Sequence, residues 1–285
     1  MTAPVLVAVA HGSRDQAAAR AHRGLVDRIR VAHPEVEVRL AYLDHADPSV
    51  YRTLRGYARD GRDAVVVPLL LVAASHARGD VPAAIQAAAG IRAAAGNRAR
   101  FGYARVLGPH PLLLRALRDR LATVGVPDSA ALVLAAAGSA DPDANAEVAR
   151  TARLLWEWRG GTAPVEAAFA SATTPTVPEA IERLRRLGHE PVAVASYFLA
   201  PGRLPGLVSA AARTAGVAVT EPFADTDEVA ALVWERYVEA AEGPVPANCD
   251  TCVYRAPWPG QEHRVGAPQR IHPHPSDLLG SLSRG

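Results

Sequence analysis

Lysine is absent from the sequence, so all 31 residues of the Lys+Arg total are arginines. They are nearly balanced by 29 acidic residues, which leaves a formal net charge of +2. So small an excess argues against a nucleic acid or a membrane surface as the ligand. An anionic ligand of this protein would be held by guanidinium groups, which bind carboxylates through two parallel hydrogen bonds.

Cysteine is almost as scarce, since Cys249 and Cys252 stand together in a single C-x-x-C motif. They are too close in sequence to staple a fold, which favours a cytosolic metal or redox role over a structural disulfide. Long apolar runs are missing too: none is long enough to span a bilayer. The apolar start at residues 5–10 lacks the basic flank of a signal peptide. We therefore expect a cytoplasmic protein.

Short β-branched runs alternate with longer stretches rich in alanine, leucine and arginine, which predicts parallel α/β structure. The predicted strands are residues 5–10, 36–42, 64–71 and 100–107, then 131–136, 165–170, 191–199 and 217–221. The predicted helices are residues 15–33, 48–60, 79–95 and 109–124, then 141–158, 177–187, 204–215 and 225–242.

The two halves of the chain also match in sequence. Residues 10–13 correspond to residues 136–139, which lie 126 positions later, and residues 68–71 correspond to residues 196–199, which lie 128 positions later. So constant an offset indicates a duplicated α/β domain. We expect one domain at residues 1–126, a second at residues 127–242, and an irregular, proline-rich tail at residues 243–285.

A histidine follows the first predicted strand, in the motif His11-Gly12-Ser13-Arg14. The carboxyl ends of the strands form the ligand crevice of open α/β sheets, so His11 is a candidate functional residue. The alternative is that Ser13 only caps the next helix and that His11 makes a local hydrogen bond.

Two further polar residues follow strands of the first half: Asp44 after the second strand and His76 after the third. Together with His11 they would suit a borderline divalent metal such as Fe²⁺, Co²⁺ or Ni²⁺. His45 is a spare candidate ligand, although an adjacent residue often faces away. Two other histidines, His22 and His33, are expected on the exposed face of the first helix.

These segments resemble the sirohydrochlorin chelatases, the class II tetrapyrrole chelatases that include cobalt-inserting and siroheme-forming enzymes. The resemblance covers roughly residues 4–240. It lies in the strand followed by His-Gly-Ser-Arg, in Ala-Tyr-Leu-Asp followed by Asp-Pro-Ser, and in Val-Pro-Leu-Leu-Leu followed by Ser-His and Gly-Asp-Val-Pro. It implies two lobes around a tetrapyrrole and a paired-histidine metal site, here His11 and His76. The acidic position of that site, often Glu in the family, is Asp44 here.

The resemblance further implies ATP-independent insertion of a divalent metal into sirohydrochlorin, in siroheme or cobalamin biosynthesis, with Fe²⁺ favoured and Co²⁺ second. Insertion releases pyrrole protons, which a neutral imidazole can accept near neutral pH. The substrate is a polycarboxylate, so Ser13, Arg14, Arg78 and Arg203 are candidate contacts. For each arginine the alternative is a solvated surface charge. The expected state is a monomer or a homodimer.

The second half departs from the metal-binding pattern, because Ala137, Ser171 and Leu204 stand where the first half has His11, Asp44 and His76. We therefore expect a single metal site, with the second half forming the opposite wall of the cleft.

The Cys249 and Cys252 pair supplies two of the four ligands that a metal or Fe–S site usually needs. Some longer members of the family carry a similar pair linked to a cluster or to metal handling, and two chains could also pool their pairs. The alternative is two free cytosolic thiols.

Two other functions compete with the chelatase. A tetrapyrrole or metal carrier without turnover would use the same cleft, although the presence of both His11 and His76 favours an enzyme. A nucleotide-binding protein is disfavoured because no G-x-G-x-x-G or G-x-x-x-x-G-K-[ST] motif follows a strand.

Overall fold

The computed structural model describes residues 3–74, 76–94, 96 and 99–243. Within these ranges each half of the chain forms one four-stranded parallel sheet flanked by helices. The predicted fold class, two parallel-sheet α/β domains, is confirmed.

The first sheet has the strand order β2-β1-β3-β4. Its strands are β1 (Val5–Ala10), β2 (Val38–Tyr42), β3 (Ala64–Pro68) and β4 (Phe101–Tyr103). The helices of this half are α1 (Gln16–Ala32), α2 (Val50–Asp60), α3 (Val81–Ala94) and α4 (Pro111–Thr123). All six residues of β1 are buried, because alternate side chains enter apolar clusters on opposite faces of the sheet. A strand covered on both faces reads as one continuous apolar run.

The second sheet repeats this order as β6-β5-β7-β8. Its strands are β5 (Ala131–Ala136), β6 (Val165–Phe169), β7 (Val192–Ser196) and β8 (Ala218–Val219), with the helices α5 (Pro142–Trp158), α6 (Val177–Arg186), α7 (Arg203–Thr214) and α8 (Asp227–Glu242). The helix starts repeat as well. Asp15 caps α1 through the N–H of Ala17, and Asp141, 126 residues later, caps α5 through the N–H of Asp143. These repeated contacts are the structural counterpart of the sequence duplication.

The last helix of the second half crosses to the first sheet. Helix α8 packs against β3 and β4 and against helices α1 and α4. The Tyr237 hydroxyl of α8 donates to the Pro4 carbonyl at 2.7 Å, and the buried Arg236 guanidinium donates to the Val106 carbonyl at 3.1 Å. Helix α4 in turn contacts β7 of the second sheet. One apolar cluster, including Leu6 and Leu132, therefore runs through both halves.

Several element bounds differ from the sequence prediction, and the strand predicted at residues 100–107 is reduced to the three residues of β4. The third helix was predicted to begin at residue 79, whereas a π-helical turn, His76–Asp80, precedes α3. The strand predicted at residues 217–221 is reduced to the two residues of β8.

The prediction that His22 lies on an exposed face is wrong. Its relative exposure is 8%, and burial lowers the pKa of its imidazole to about 4. The cause is its position on the buried stripe of α1, four residues after Ala18 and three before Leu25. His33, at the end of α1, is partly covered because its ring stacks on Trp234 at a centroid distance of 3.5 Å.

Among the described residues, no helix combines the length and the apolar character needed to cross a bilayer.

Candidate functional site

A cavity of about 440 Å³ lies between the two sheets, at the carboxyl ends of their central strands. Residues of the first half line one wall: His11, Leu69, Leu70, Leu71, Val72 and Ala74. Residues of the second half line the other: Ala136, Ala137, Gly138, Ser139, Ala144, Asn145, Val148, Tyr197, Phe198, Leu199 and Leu204. Most of this lining is apolar, as in a site for a largely hydrophobic ligand.

His11 is the one imidazole among these described lining residues, and its backbone holds it at the end of β1. Its Nδ1 lies 3.1 Å from the Gly12 carbonyl oxygen. When Nδ1 carries the proton and donates to that oxygen, Nε2 carries the lone pair through which an imidazole binds a metal.

The turn that follows His11 is pressed against the loop after β2. Gly12 has φ +96°, and a Cβ at this position would overlap the Asp44 carbonyl oxygen. The Asp44 N–H donates to the His11 carbonyl at 2.9 Å. These contacts bring His11 and the Asp44 loop together at the ends of the neighbouring strands β1 and β2.

The carboxylate of Asp44 is engaged within its own loop. One oxygen accepts the His45 N–H at 2.7 Å, and the other lies 3.4 Å from His45 Nε2. The His45 ring has its centroid 6.3 Å from that of His11. His45 adopts φ +58°, in the left-handed region that residues other than glycine seldom enter. The spare ligand of the sequence analysis therefore lies beside His11, with Asp44 positioned to orient it.

The second half repeats the backbone of this site without its ligands. The Ser171 N–H donates to the Ala137 carbonyl at 3.1 Å, which matches the bond from Asp44 to His11. Ala172 adopts φ +64° and thereby matches His45. Because Ala137 and Ala172 carry methyl groups, this copy has no imidazole at either position.

The predicted substrate contacts lie at different places around the cleft. The Ser13 hydroxyl accepts the Asp15 N–H at 3.0 Å, a contact within the turn. Arg14 is exposed before α1, and Arg203 is exposed at the first turn of α7, next to the cavity residue Leu204.

Four of the predicted site side chains lie outside the described part of the structure: those of His76, Arg78, Cys249 and Cys252. Among the side chains that are described, no group of three or more His, Cys, Asp or Glu residues is gathered in a geometry that could hold a metal ion.

Sequence reasoning missed the polar residues of the second wall. Tyr197 follows β7, and its backbone N–H donates to Ala135 just as that of Leu69 donates to Val9 in the first half. Asn145 makes two side-chain hydrogen bonds to the Ser139 backbone, at 2.8 and 2.9 Å. The sequence did indicate Tyr197, because the 128-residue offset between the halves makes it the counterpart of Leu69, the residue after strand β3 in the first half.

Known proteins share this architecture. The CbiX family model matches the chain twice, over residues 5–124 and 131–240. Sirohydrochlorin cobaltochelatase of Priestia megaterium is 33% identical over 76% of this chain and 74% of its own length. Sirohydrochlorin ferrochelatase of Bacillus subtilis (strain 168) is 29% identical over 69% of this chain and 74% of its own. The structure of SirB from Bacillus subtilis with Fe³⁺ has a TM-score of 0.71 and 26% identity, over 84% of this chain and 96% of that one.

Proposed function

Because the chain belongs to the CbiX family, we propose that it inserts a divalent metal ion into sirohydrochlorin without ATP. One observation supports this above all: His11 lies in the wall of an apolar cleft between two duplicated sheets. The loop that follows β3 lies in the same wall and leads to His76. The metal is a substrate here, held by the two histidines until the macrocycle takes it.

The shape and polarity of the cleft suit part of a flat, largely apolar macrocycle. The leucines that follow β3 form one wall, and Phe198 and Leu199 form part of the other. The carboxylate arms of the substrate would extend to the cleft rim, where Arg14, Arg78 and Arg203 are the proposed contacts. Guanidinium groups are suited to this task because each can bind a carboxylate in a bidentate manner.

The chemistry requires a ligand that releases the metal and a base that takes the pyrrole protons. The Nε2 lone pair of His11 can hold the ion while its Nδ1 faces the Gly12 carbonyl oxygen. An imidazole that has given up the metal can then accept a proton. His76 would supply the second imidazole, and Asp44 would act by orienting His45.

Fe²⁺ and Co²⁺ are the two candidate metals. Relatives named for each match this chain, at 33% identity for the cobaltochelatase and 29% for the ferrochelatase. Imidazole ligands suit both ions and do not select between them.

The test is an anaerobic absorbance assay in which sirohydrochlorin is mixed with purified protein and Fe²⁺, Co²⁺ or Ni²⁺ in turn. We expect catalytic conversion of the free-base spectrum to that of the metal complex. His11→Ala and His76→Ala should each slow it by about 100-fold or more, because loss of a metal ligand should exceed the roughly 10- to 100-fold cost of losing a residue that only orients one. His189→Ala, which removes an imidazole before β7 at the opposite end of the sheet, is the matched control.

The carrier function makes a different prediction in the same assay. A carrier would bind both sirohydrochlorin and the metal yet leave the rate of the spectral change at its protein-free value. Wild-type rates in both His11→Ala and His76→Ala would show that the metal site is wrongly placed.

A further inference from the structure

The segment that runs from Leu69 through the π-helical turn His76–Asp80 carries His76. Its residues Leu69 to Val72 line the cleft. Bonds from its own half hold it at both ends. The Leu69 N–H donates to the Val9 carbonyl at 2.8 Å, and the Tyr103 hydroxyl donates to the Ala77 carbonyl at 2.6 Å.

The middle of this segment is bound by the other half of the protein. Glu147, on helix α5, accepts the Ala73 N–H on its Oε2 at 2.8 Å. Ala73 has a relative exposure of 8%, and its bond to Glu147 is partly buried. This bond joins a side chain of the second half to the backbone of the first-half loop.

Glu147 lies on the helix that supplies part of the second wall of the cleft. Its helical neighbours Asn145 and Val148 line the cavity. Tyr197 of the same wall is fully enclosed, and burial, reinforced by the negative charge of Glu147, raises the pKa of its phenol. The carboxylate therefore lies at the boundary between the two walls.

The first half has no glutamate at the position equivalent to Glu147 with which to make the same contact to the second half. The caps Asp15 and Asp141 align α1 with α5 at an offset of 126 residues, which places Ala21 at the position equivalent to Glu147. A methyl group cannot accept a hydrogen bond, so α1 offers no reciprocal bond from this position to the second half. The half that supplies the proposed metal ligands is also the half whose loop receives this support.

We propose that Glu147 is a positioning residue, which reaches from α5 of the second half to hold the first-half loop that carries His76, so that the metal ligands are correctly placed only when the two halves are together. This inference rests on the proposed function for the role of His76. It assigns Glu147 no contact with the reacting atoms. Residues that orient metal ligands commonly change metal affinity or activity by about 10- to 100-fold when they are replaced.

Two conservative variants distinguish the effect of the length of the Glu147 side chain from the effect of its charge. Glu147→Gln keeps an acceptor oxygen at the same distance and removes the charge. Glu147→Asp keeps the charge and withdraws the acceptor by one methylene. The matched control is Glu157→Asp, in the same helix, where the exposed side chain binds Arg153.

The measurements are Co²⁺ affinity of the tetrapyrrole-free protein by calorimetry, kcat and KM for insertion, and hydrogen exchange of the 69–80 peptide. We expect Glu147→Gln and Glu157→Asp to stay within about threefold of wild type. Glu147→Asp should bind Co²⁺ about tenfold more weakly, lower kcat more than it raises KM, and speed exchange in that peptide.

The reverse order, with Glu147→Asp normal and Glu147→Gln impaired, would overturn the proposal because charge rather than reach would matter. A lower Tm in Glu147→Asp, with unchanged Co²⁺ affinity and kcat, would also overturn it. The wild-type protein could also insert no metal while Glu147→Asp, but not Glu147→Gln, weakens Co²⁺ binding. In that case the proposed function fails and the role of Glu147 stands.

Discussion

The imidazole rings of His11 and His45 lie 6.3 Å apart although the two residues follow different strands. The separation is set by the pairing of β1 with β2 and by the left-handed turn at His45. Ala172 makes the same turn in the second half. The turn is therefore a property of the duplicated fold, and the imidazole is what distinguishes the first copy.

This arrangement predicts an order of importance among three side chains. His11→Ala should cause the largest loss of insertion activity, His45→Ala a smaller one, and Asp44→Ala the smallest, because Asp44 acts on His45 rather than on the metal. Single-turnover insertion rates measure the order, and His189→Ala serves as the control. If Asp44→Ala were as damaging as His11→Ala, Asp44 would be a direct ligand.

The duplicated fold should nevertheless bind one catalytic metal. Calorimetric titration with Co²⁺ is expected to give one site per chain that is linked to tetrapyrrole binding, because Ala137, Ser171 and Leu204 supply no imidazole or carboxylate. The double variant His11→Ala plus His76→Ala should abolish it. A second site of equal affinity that survives in the double variant, and that is lost on changing Ser171, would contradict the asymmetry.

Burial of His22 predicts that the protein loses stability in mild acid. Burial lowers the pKa of this imidazole from 6.5 to about 4, so the unfolded chain binds a proton that the folded one excludes. Above pH 6.5 the imidazole is neutral in both states and costs no stability. As the pH falls from 6.5 towards 4, the free energy of unfolding decreases, because only the unfolded chain takes up the proton. A shift of this size corresponds to roughly 3 kcal/mol in the free energy of unfolding.

Urea unfolding of wild type and of His22→Leu at several pH values between 4 and 7 measures this effect. The variant should lose less stability than wild type across the interval, since leucine fits the apolar stripe of α1 and does not titrate. Parallel pH profiles for the two proteins would show that His22 does not cause the dependence. His189→Ala controls for the loss of a histidine from a partly exposed position.

Removal of the tail after Glu242 should leave a folded chain with insertion activity, because α8 ends at that residue. Removal after Thr226, which deletes α8 itself, should prevent stable folding, since the helix buries Val229, Leu232, Val233 and Tyr237. Circular dichroism melts and the absorbance assay distinguish the two truncations. A folded but inactive protein ending at Glu242 would place part of the active site in the tail.

The sequence was sufficient for features that depend on local pattern. The buried runs of β1 and β5 are apolar at every position, and the repeat of His11-Gly12-Ser13 as Ala137-Gly138-Ser139 revealed both the duplication and its unequal chemistry. His22 was also readable in principle, because it falls on the stripe defined by Ala18, Leu25 and Ile29.

Other features depend on contacts between distant parts of the chain, and no periodic pattern in the sequence indicates them. Nothing in the pattern around Glu147 indicates that its acceptor bond goes to Ala73, which is 74 residues away. The π-helical turn at His76–Asp80 is likewise set by its surroundings, including the bond from Tyr103 to Ala77.

The crossing of α8 has a consequence for the order in which the protein can be made. A ribosome releases the strands of the first sheet early, but the helix that covers β3 and β4 is synthesised after every other strand and helix of the two sheets. Until residue 242 has emerged, one apolar face of the first sheet lacks its final cover and is open to wrong contacts. The nascent chain therefore stays vulnerable while residues 104–242 are made, and a stall in that interval would yield an aggregation-prone fragment rather than a working half.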